Sequence, residues 1–340
     1  MITTLNDIDL RPLNTFRISA NCSEFIEYTS ADDIPYIVSQ FQNDTKFLNI
    51  GAGSNILFTS NFNGTILHSK ILDCTMSCRE DGTIFVKAGS GITMDDLIEK
   101  CANSGLWGLE NLSGIPGEVG AAAVQNVGAY GVEACNLIQC IDCYDIKEKK
   151  FVSIPVSDCE YAYRHSMFKL PENKSRYIIS FVTFCLTSKH SPKIEYGSLI
   201  NEFEDVEYAF ISPSDVRNAV IRVRNSKLPL VEEFGSAGSF FKNPIINTDV
   251  FNSIKETYPT VPHYIVENGV KIPAAWLIDQ CGLKGFKHGG AAVWFKQPLV
   301  IVNQTGHAKA SDIIELEDII IDKVNKKFGV VLSPEVEHIF

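Results

Sequence analysis

With 340 residues, 45% of them hydrophobic and 21% charged, the chain is long enough for two or three domains and can bury a sizeable core, which excludes a disordered protein. Its formal net charge of -11 excludes nucleic acid as the main partner, because a phosphate backbone demands basic patches, so an anionic ligand has to be met by a few local cations. The opening MITTLNDIDLRPLNTF has neither a basic n-region nor an apolar h-region, and no run of about 18 apolar residues follows, so the expectation is a soluble cytoplasmic protein with no membrane partner.

Phe25 to Thr29 reads as a strand and Ala31 to Gln42 as a helix, with Ile34, Ile37, Val38 and Phe41 at helical spacing. Lys46 to Ile50 and Gly64 to Leu67 are short strands flanking a first glycine loop, Gly51-Ala52-Gly53-Ser54-Asn55. From about Ile71 the strands lengthen, at Thr83 to Ala88, Leu137 to Tyr144 and Tyr177 to Leu186, and a mixed sheet is expected. Between them lies a helix from Thr93 to Asn103, with Thr93 and Asp96 placed as a capping pair and Gly105 as its stop. A third unit begins near Ser212, where Ser-Pro-Ser-Asp opens a helix through Arg224 that Leu228-Pro229 breaks. Asn268-Gly269 predicts a hairpin turn. Ser311 to Phe328 is amphipathic, with Ile313, Ile314, Leu316, Ile320, Ile321, Val324 and Phe328 on one broad face and Gly329 ending it, and the tail from Val330 to Phe340 has strand character.

The stretch from Gly105 to Gly131 holds seven glycines and one proline among small residues and suits neither a regular helix nor a strand. Glycine serves where φ is positive or where something approaches the backbone too closely for a Cβ. Successive unobstructed N–H groups form an anion-binding concavity. The segment AAAVQN reads as a short helix aimed at a phosphate. There is no GxxxxGK[ST], and no GxGxxG opening a helix, which argues against P-loop and Rossmann sites. Two glycine loops, each after a strand, suit clamping one diphosphate from both sides. The ten cysteines read as reduced thiols. Cys140 and Cys143 form a CxxC on a strand, where residues three apart face opposite ways, and no second pair completes a tetrahedral set, so no metal is expected.

Six motifs then occur in order: GAGSN, GLENLSGIPGEVGAAAVQNVGAYG, YAYRHSMFK, GSAGSFFKNP, AAWLIDQCGLKG and SPEVE. From about Asn14 onward the chain resembles the UDP-N-acetylenolpyruvoylglucosamine reductases, in the longer subgroup with a tyrosine loop. The resemblance implies an α+β protein of three domains. Residues 1–70, joined by the returning tail 330–340, and residues 71–211 would form an FAD-binding fold of the vanillyl-alcohol-oxidase type. Residues 212–329 would bind substrate. It implies FAD as cofactor, NADPH as co-substrate, a UDP-sugar substrate in peptidoglycan precursor synthesis, and a monomer.

Taken alone, Ser239 beside glycine is a turn residue, Glu335 a solvated acid and Arg164 a surface charge. The resemblance implies instead that Ser239 donates a proton to a carbanionic centre, which a serine does only with support from a neighbour. Glu335 would stand beside the enol intermediate, where burial would raise its pKa. Arg164 would stabilise the enolate; the family pattern has aspartate where this chain has His165. Substrate contacts implied are Tyr196, Lys227, Asn243 and, more weakly, Gln297. Flavin contacts implied are Gly51, Gly53, Ser54, Asn55, Gly117, Gly120, Gln125, Asn126, Gly128 and Gly131. Two rivals stay open on the residues: another flavin oxidase or dehydrogenase of the same fold, against which SFFKNP and the late glutamate count, and a non-catalytic binding module, against which Arg164, Ser239 and Glu335 together count.

Overall fold

Along Tyr177–Thr187 the side chains of Ser180, Val182, Phe184 and Leu186 are buried while Phe181, Thr183 and Cys185 are half-buried, the alternation of a strand covered on both faces. In the computed structural model, which describes residues 1–42, 45–231 and 233–340, this is the middle strand of a five-stranded sheet. The spatial order is Lys150–Pro155, Ile138–Asp145, Tyr177–Thr187, Thr83–Gly89, Cys74–Cys78. Every neighbouring pair is antiparallel. The mixed sheet expected from sequence is therefore corrected: Ile138–Asp145 and Lys150–Pro155 are joined by a short hairpin, and hairpins force antiparallel pairing.

The chain forms two compact units. The first comprises Met1–Ile8, Cys22–Ala52 and Asn63–Ser226, the second Asp9–Asn21, Gly53–Phe62 and Lys227–Phe340. In the first unit, helices Met94–Asn103 and Val119–Gln125 bury Leu97, Ile98, Cys101, Val119, Ala122 and Ala123 with Ile141, Cys143, Val182 and Phe184 of the sheet. Tyr144 and Ile178 of the same sheet join a separate cluster with Ile26, Tyr28, Ile34, Ile37 and Leu67. Those residues belong to a smaller four-stranded sheet, ordered Ile2–Asp9, Asn21–Tyr28, Phe62–Ser69, Phe47–Ile50, and to the short helix beside it. That helix is shorter than the 31–42 expected. A 3-10 turn Ala31–Asp33 leads into Ile34–Ser39, and the Ser39 hydroxyl bonds back to the Tyr36 carbonyl at 2.6 Å, an exchange that competes with further helical bonds.

Thr93 caps its helix as expected, its Oγ1 accepting from the Asp96 N–H at 3.1 Å. Ser212 and Asp215 form a reciprocal cap: Ser212 Oγ accepts from the Asp215 N–H at 3.2 Å, and the Ser212 N–H donates to Asp215 Oδ2 at 2.9 Å. The helix they open, Pro213–Lys227, buries Val216, Ala219 and Val220 with Trp107, Ile194 and Leu199, and Arg217 Nη2 meets Asp95 Oδ2 at 2.7 Å. This helix, expected to open a third unit, clusters with the first unit in all but its last residue.

In the second unit, helix Ala310–Phe328 buries Ile313, Leu316, Ile320, Val324 and Phe328, the apolar face foreseen, with Ile314 and Ile321 packed at its margin. Gly329 ends it at φ +66°. It covers a four-stranded antiparallel sheet ordered Gly235–Ser239, Val300–Asn303, Ala291–Val293, Lys287–His288. The expected hairpin forms between Tyr264–Val266 and Gly269–Lys271, but its two-residue turn is Glu267-Asn268, one position earlier than Asn268-Gly269, because Gly269 already pairs with Val266. Of the tail, only Glu337–Ile339 is a strand, paired parallel with Ile56–Phe58. Ser333 to Glu335, just before it, pair with Phe240 to Lys242.

Candidate active site

In the first unit the site is built at the C-terminal end of helix Val119–Gln125. A helix end leaves carbonyls without intrahelical partners, and one short segment serves several of them. Tyr161 Oη donates to Ala123 O at 2.9 Å and Ser166 Oγ to Val124 O at 2.6 Å. Arg164 donates through Nη1 to Asn126 O and through Nη2 to Gly128 O, both at 3.3 Å. A cation here also complements the negative end of the helix dipole. Burial holds the Tyr161 phenol well above its ordinary pKa, so it remains a neutral donor.

Arg164 stands at the apex of a two-residue turn whose flanks, Ala162 and His165, exchange backbone hydrogen bonds at 3.2 and 3.0 Å. Its φ is +55°, a conformation usually left to glycine or asparagine. Holding a larger side chain there costs on the order of 1–3 kcal/mol, strain that concentrates at functional sites. His165 enters this turn through its main chain. Lys169 braces the segment, its Nζ donating to Gln125 Oε1 at 2.6 Å.

Several of the residues implied as flavin contacts take on structural duties. The Asn126 side chain is buried and occupied: Nδ2 donates to Glu133 Oε2 and Ala162 O, both at 3.0 Å, and Oδ1 accepts from Cys135 N at 3.0 Å. Any contact of Asn126 with a ligand is left to its main chain. The helix expected from AAAVQN begins two residues earlier, at Val119, and its first two amides point into the protein. Val119 N donates to Ile92 O at 2.9 Å and Gly120 N to Ser90 O at 3.0 Å, so those donors are used within the protein. Gly120 is small because a Cβ would sit 2.8 Å from Ser90 Cβ. Gly51 likewise packs against this helix, where a Cβ would lie 3.2 Å from Ala121 Cβ and from Glu118 Oε2. Glu118 Oε1 in turn meets the buried His68 Nε2 at 2.9 Å, and His68 Nδ1 meets Glu27 Oε1 at 2.9 Å.

Tyr196, half exposed, stacks over Gly131, whose missing Cβ would lie 3.5 Å from Tyr196 Cδ2. Gly131 has φ +79° and Gly117 φ +138°. Sequence reading missed Asn111, fully buried, whose Nδ2 donates to Tyr130 O at 3.0 Å and Lys193 O at 2.7 Å and so ties the tyrosine segment to the glycine loop. It also missed Tyr161, Ser166 and Lys169.

The second unit brings Ser239 and Glu335 onto neighbouring segments. Strand Gly235–Ser239 pairs Ser236 with Val302 but Ser239 with Val300, a bulge at which Gly238 takes φ +69° and turns the serine. Past the bulge, Glu335 N donates to Phe240 O at 2.7 Å and Lys242 N to Ser333 O at 3.0 Å, while Phe241 and Pro334 bridge. Phe240 and Phe241 are fully buried and anchor the pairing. Asn55 clamps the same segment from the other side: its Nδ2 donates to Glu335 O at 3.2 Å and its carbonyl accepts from Glu337 N at 3.0 Å. Ser239 and Glu335 are both half-buried. Asn243 Oδ1 accepts from Ala274 N at 2.9 Å, fixing the amide at the head of helix Ala274–Gln280. Lys227 is exposed, with its carbonyl held by Trp294 Nε1 at 3.0 Å, and Gln297 lies in the turn closed by Trp294 N and Val300 O at 2.8 Å.

Comparison with known proteins resolves the reading. Residues 229–339 match the C-terminal domain of UDP-N-acetylenolpyruvoylglucosamine reductase, and residues 23–145 match an FAD binding domain. The UDP-N-acetylenolpyruvoylglucosamine reductase of Bacteroides fragilis is 43% identical over 96% of this chain and 97% of its own. That of Porphyromonas gingivalis is 41% identical over 98% of each. The chain belongs to the UDP-N-acetylenolpyruvoylglucosamine reductase family. The fold agrees: the crystal structure of the Thermus caldophilus reductase superposes with a TM-score of 0.67 at 22% identity, over 99% of this chain and 98% of that one.

The residues present fit FAD. Among the described residues, the backbone N–H groups of Gly51, Ala52, Gly53 and Asn55 donate no hydrogen bond within the protein. Unused backbone donors of this kind are what phosphate oxygens accept from. No helix among the described residues is long and apolar enough to cross a membrane.

Proposed function

We infer that this chain is an FAD-dependent, NADPH-driven oxidoreductase that reduces UDP-N-acetyl-3-O-(1-carboxyvinyl)glucosamine to UDP-N-acetylmuramate in peptidoglycan precursor synthesis. The observation that carries this reading is the near-full-length identity of 41–43% with reductases of that name. The finer assignments are our own. The protein acts as a cytoplasmic monomer, and the two FAD-binding subdomains expected over 1–70 and 71–211 make up most of the first unit. Gly51, Gly53, Ser54, Asn55, Gly117, Gly120, Gln125, Asn126, Gly128 and Gly131 line the cofactor.

When bound, FAD carries reducing equivalents from NADPH to the enolpyruvyl double bond. Ser239 Oγ gives a proton to the carbon that then carries negative charge. Glu335 supports that transfer from the segment bonded to Phe240. Arg164 meets the charge developing on the substrate carboxylate, and the turn and helix end that fix its guanidinium spare it reorganisation at that moment. Lys227, Asn243, Gln297 and Tyr196 hold the sugar nucleotide.

Two experiments test the reading. The purified protein will be yellow with non-covalent FAD, because no histidine or cysteine lies in the glycine loops to form a link. Acid precipitation will release the flavin, and anaerobic NADPH will bleach it; a colourless protein that takes up no added FAD sinks the proposal. Tyr196→Phe will raise KM for the sugar nucleotide by about tenfold, the worth of one hydrogen bond to a charged group, with a smaller fall in kcat, the signature of binding lost equally from ground and transition states. An unchanged KM removes Tyr196 from the site.

A further inference from the structure

The loop from Leu10 to Ala20 is organised by one buried side chain. Asn14 Nδ2 donates to Leu10 O at 2.7 Å and Ile18 O at 2.9 Å, while Oδ1 accepts from Ile18 N at 3.1 Å. This loop supplies Arg11 and Arg17 to a concavity of about 440 Å³ within the second unit. The remaining walls are Phe58 to Asn61 and Gly306 to Ser311, so His307 and Lys309 join the two arginines and no Asp or Glu lines the cavity. In a chain of net charge -11, such a cluster is the opposite of what the surface as a whole presents. The nearby carboxylates are already engaged: Asp9 Oδ1 accepts from Arg11 N at 3.0 Å and Ser19 Oγ at 3.2 Å, and Asp312 Oδ2 accepts from Lys309 N at 2.9 Å.

Arg11 is braced by Gly306 O at 2.6 Å. Among the described residues nothing hydrogen-bonds or ion-pairs the Arg17 guanidinium, which has five donors to offer and is held at φ +55°. Lys309 occupies the cap position of helix Ala310–Phe328, where an ammonium has no acceptor for the first helical amides. Ser19, Thr59, Ser60, Asn61 and Ser311 add hydroxyl and amide groups, and Ile18, Phe58 and Ala308 form a buried apolar floor.

We propose that this cavity is an anion site for a small molecule carrying at least two phosphate charges, distinct from the residues assigned to the reaction, none of which lines it. Its volume is within the range of small-molecule sites, and a fork of guanidinium donors with an ammonium suits phosphate oxygens. Isothermal titration calorimetry of the FAD-loaded protein with inorganic pyrophosphate, at ionic strength fixed with chloride, tests it. Saturable single-site binding is expected, weakened about tenfold or more by Arg17→Asn, which keeps a residue tolerant of positive φ, and by Lys309→Gln. Lys227→Gln should leave that binding intact, and turnover without pyrophosphate should be unchanged in the Arg17 and Lys309 variants, which also shows that they fold. Heat that never saturates and follows ionic strength alone overturns the proposal, since that is screening of surface charge. So does binding lost in Lys227→Gln and retained in both Arg17→Asn and Lys309→Gln.

Discussion

Ser239→Ala will bleach with NADPH at close to the normal rate and then fail to be reoxidised by the enolpyruvyl substrate, with a loss of about 10²- to 10⁴-fold confined to the second half-reaction. The division follows from proton demand. Reduction of the flavin needs no general acid from the protein, whereas completing reduction of the carbon–carbon double bond needs one proton delivered to carbon. Ser239 sits just past a bulge whose Gly238 re-aims the strand, and the alanine variant keeps that backbone. Glu335→Gln should divide the half-reactions in the same way, because glutamine keeps the shape and removes the acid. Its backbone bond to Phe240 O at 2.7 Å and the Asn55 clamp at 3.2 Å do not depend on the carboxyl group. Stopped-flow measurement of both half-reactions decides: if either variant slows flavin reduction as much as reoxidation, that residue positions cofactor or maintains the fold and does not deliver the proton.

Gly53→Ala will be far more damaging to the fold than a glycine-to-alanine change usually is. Gly53 has φ +61°, and an added Cβ would lie 2.2 Å from Leu13 O and 2.8 Å from Asn14 Cα, backbone atoms that cannot swing aside. The same residue's carbonyl accepts from Thr15 N at 3.1 Å, so the loop and the Leu13–Thr15 turn must separate together. Conformational strain of about 1–2 kcal/mol and overpacking of about 1–3 kcal/mol add to about 2–5 kcal/mol. Thermal unfolding should move down by about 5–15 °C, with FAD released more readily. Gly282→Ala is the control: φ is +68° but nothing lies within 4 Å of its Cβ position, so only the strain applies. Equal melting of the two variants would show that close approach at Gly53 is not limiting.

Where the chain carries its own local signal, the sequence is readable. The apolar face of Ala310–Phe328, its Gly329 stop, the Ser212 cap and, to within one residue, the hairpin before Gly269 each depend on residues a few positions apart. What escaped depends on partners distant in sequence. The helix read from AAAVQN starts at Val119, because Ile92 O and Ser90 O take the amides of Val119 and Gly120. The helix beginning at Pro213 has the caps of a new domain, but its apolar face meets Trp107, Ile194 and Leu199. Arg164, Ser239 and Glu335 stand out only through ordered motifs, since no periodicity marks a turn, a bulge or a paired tail. Asn111 left no trace at all, because a single buried amide clamping two carbonyls has neither spacing nor composition to betray it.

The unused amides of Gly51, Ala52, Gly53 and Asn55 bear on how the enzyme responds to salt. Uncharged N–H donors grip an anion over hydrogen-bonding distance and engage no mobile counterion, whereas a solvent-exposed ammonium such as Lys227 works through a field that salt shortens to about 8 Å at physiological ionic strength. On the assignments made above, cofactor and substrate are thus retained by two kinds of force with different environmental sensitivities. Raised salt would loosen the sugar nucleotide, which has to come and go each turnover, and leave the flavin in place.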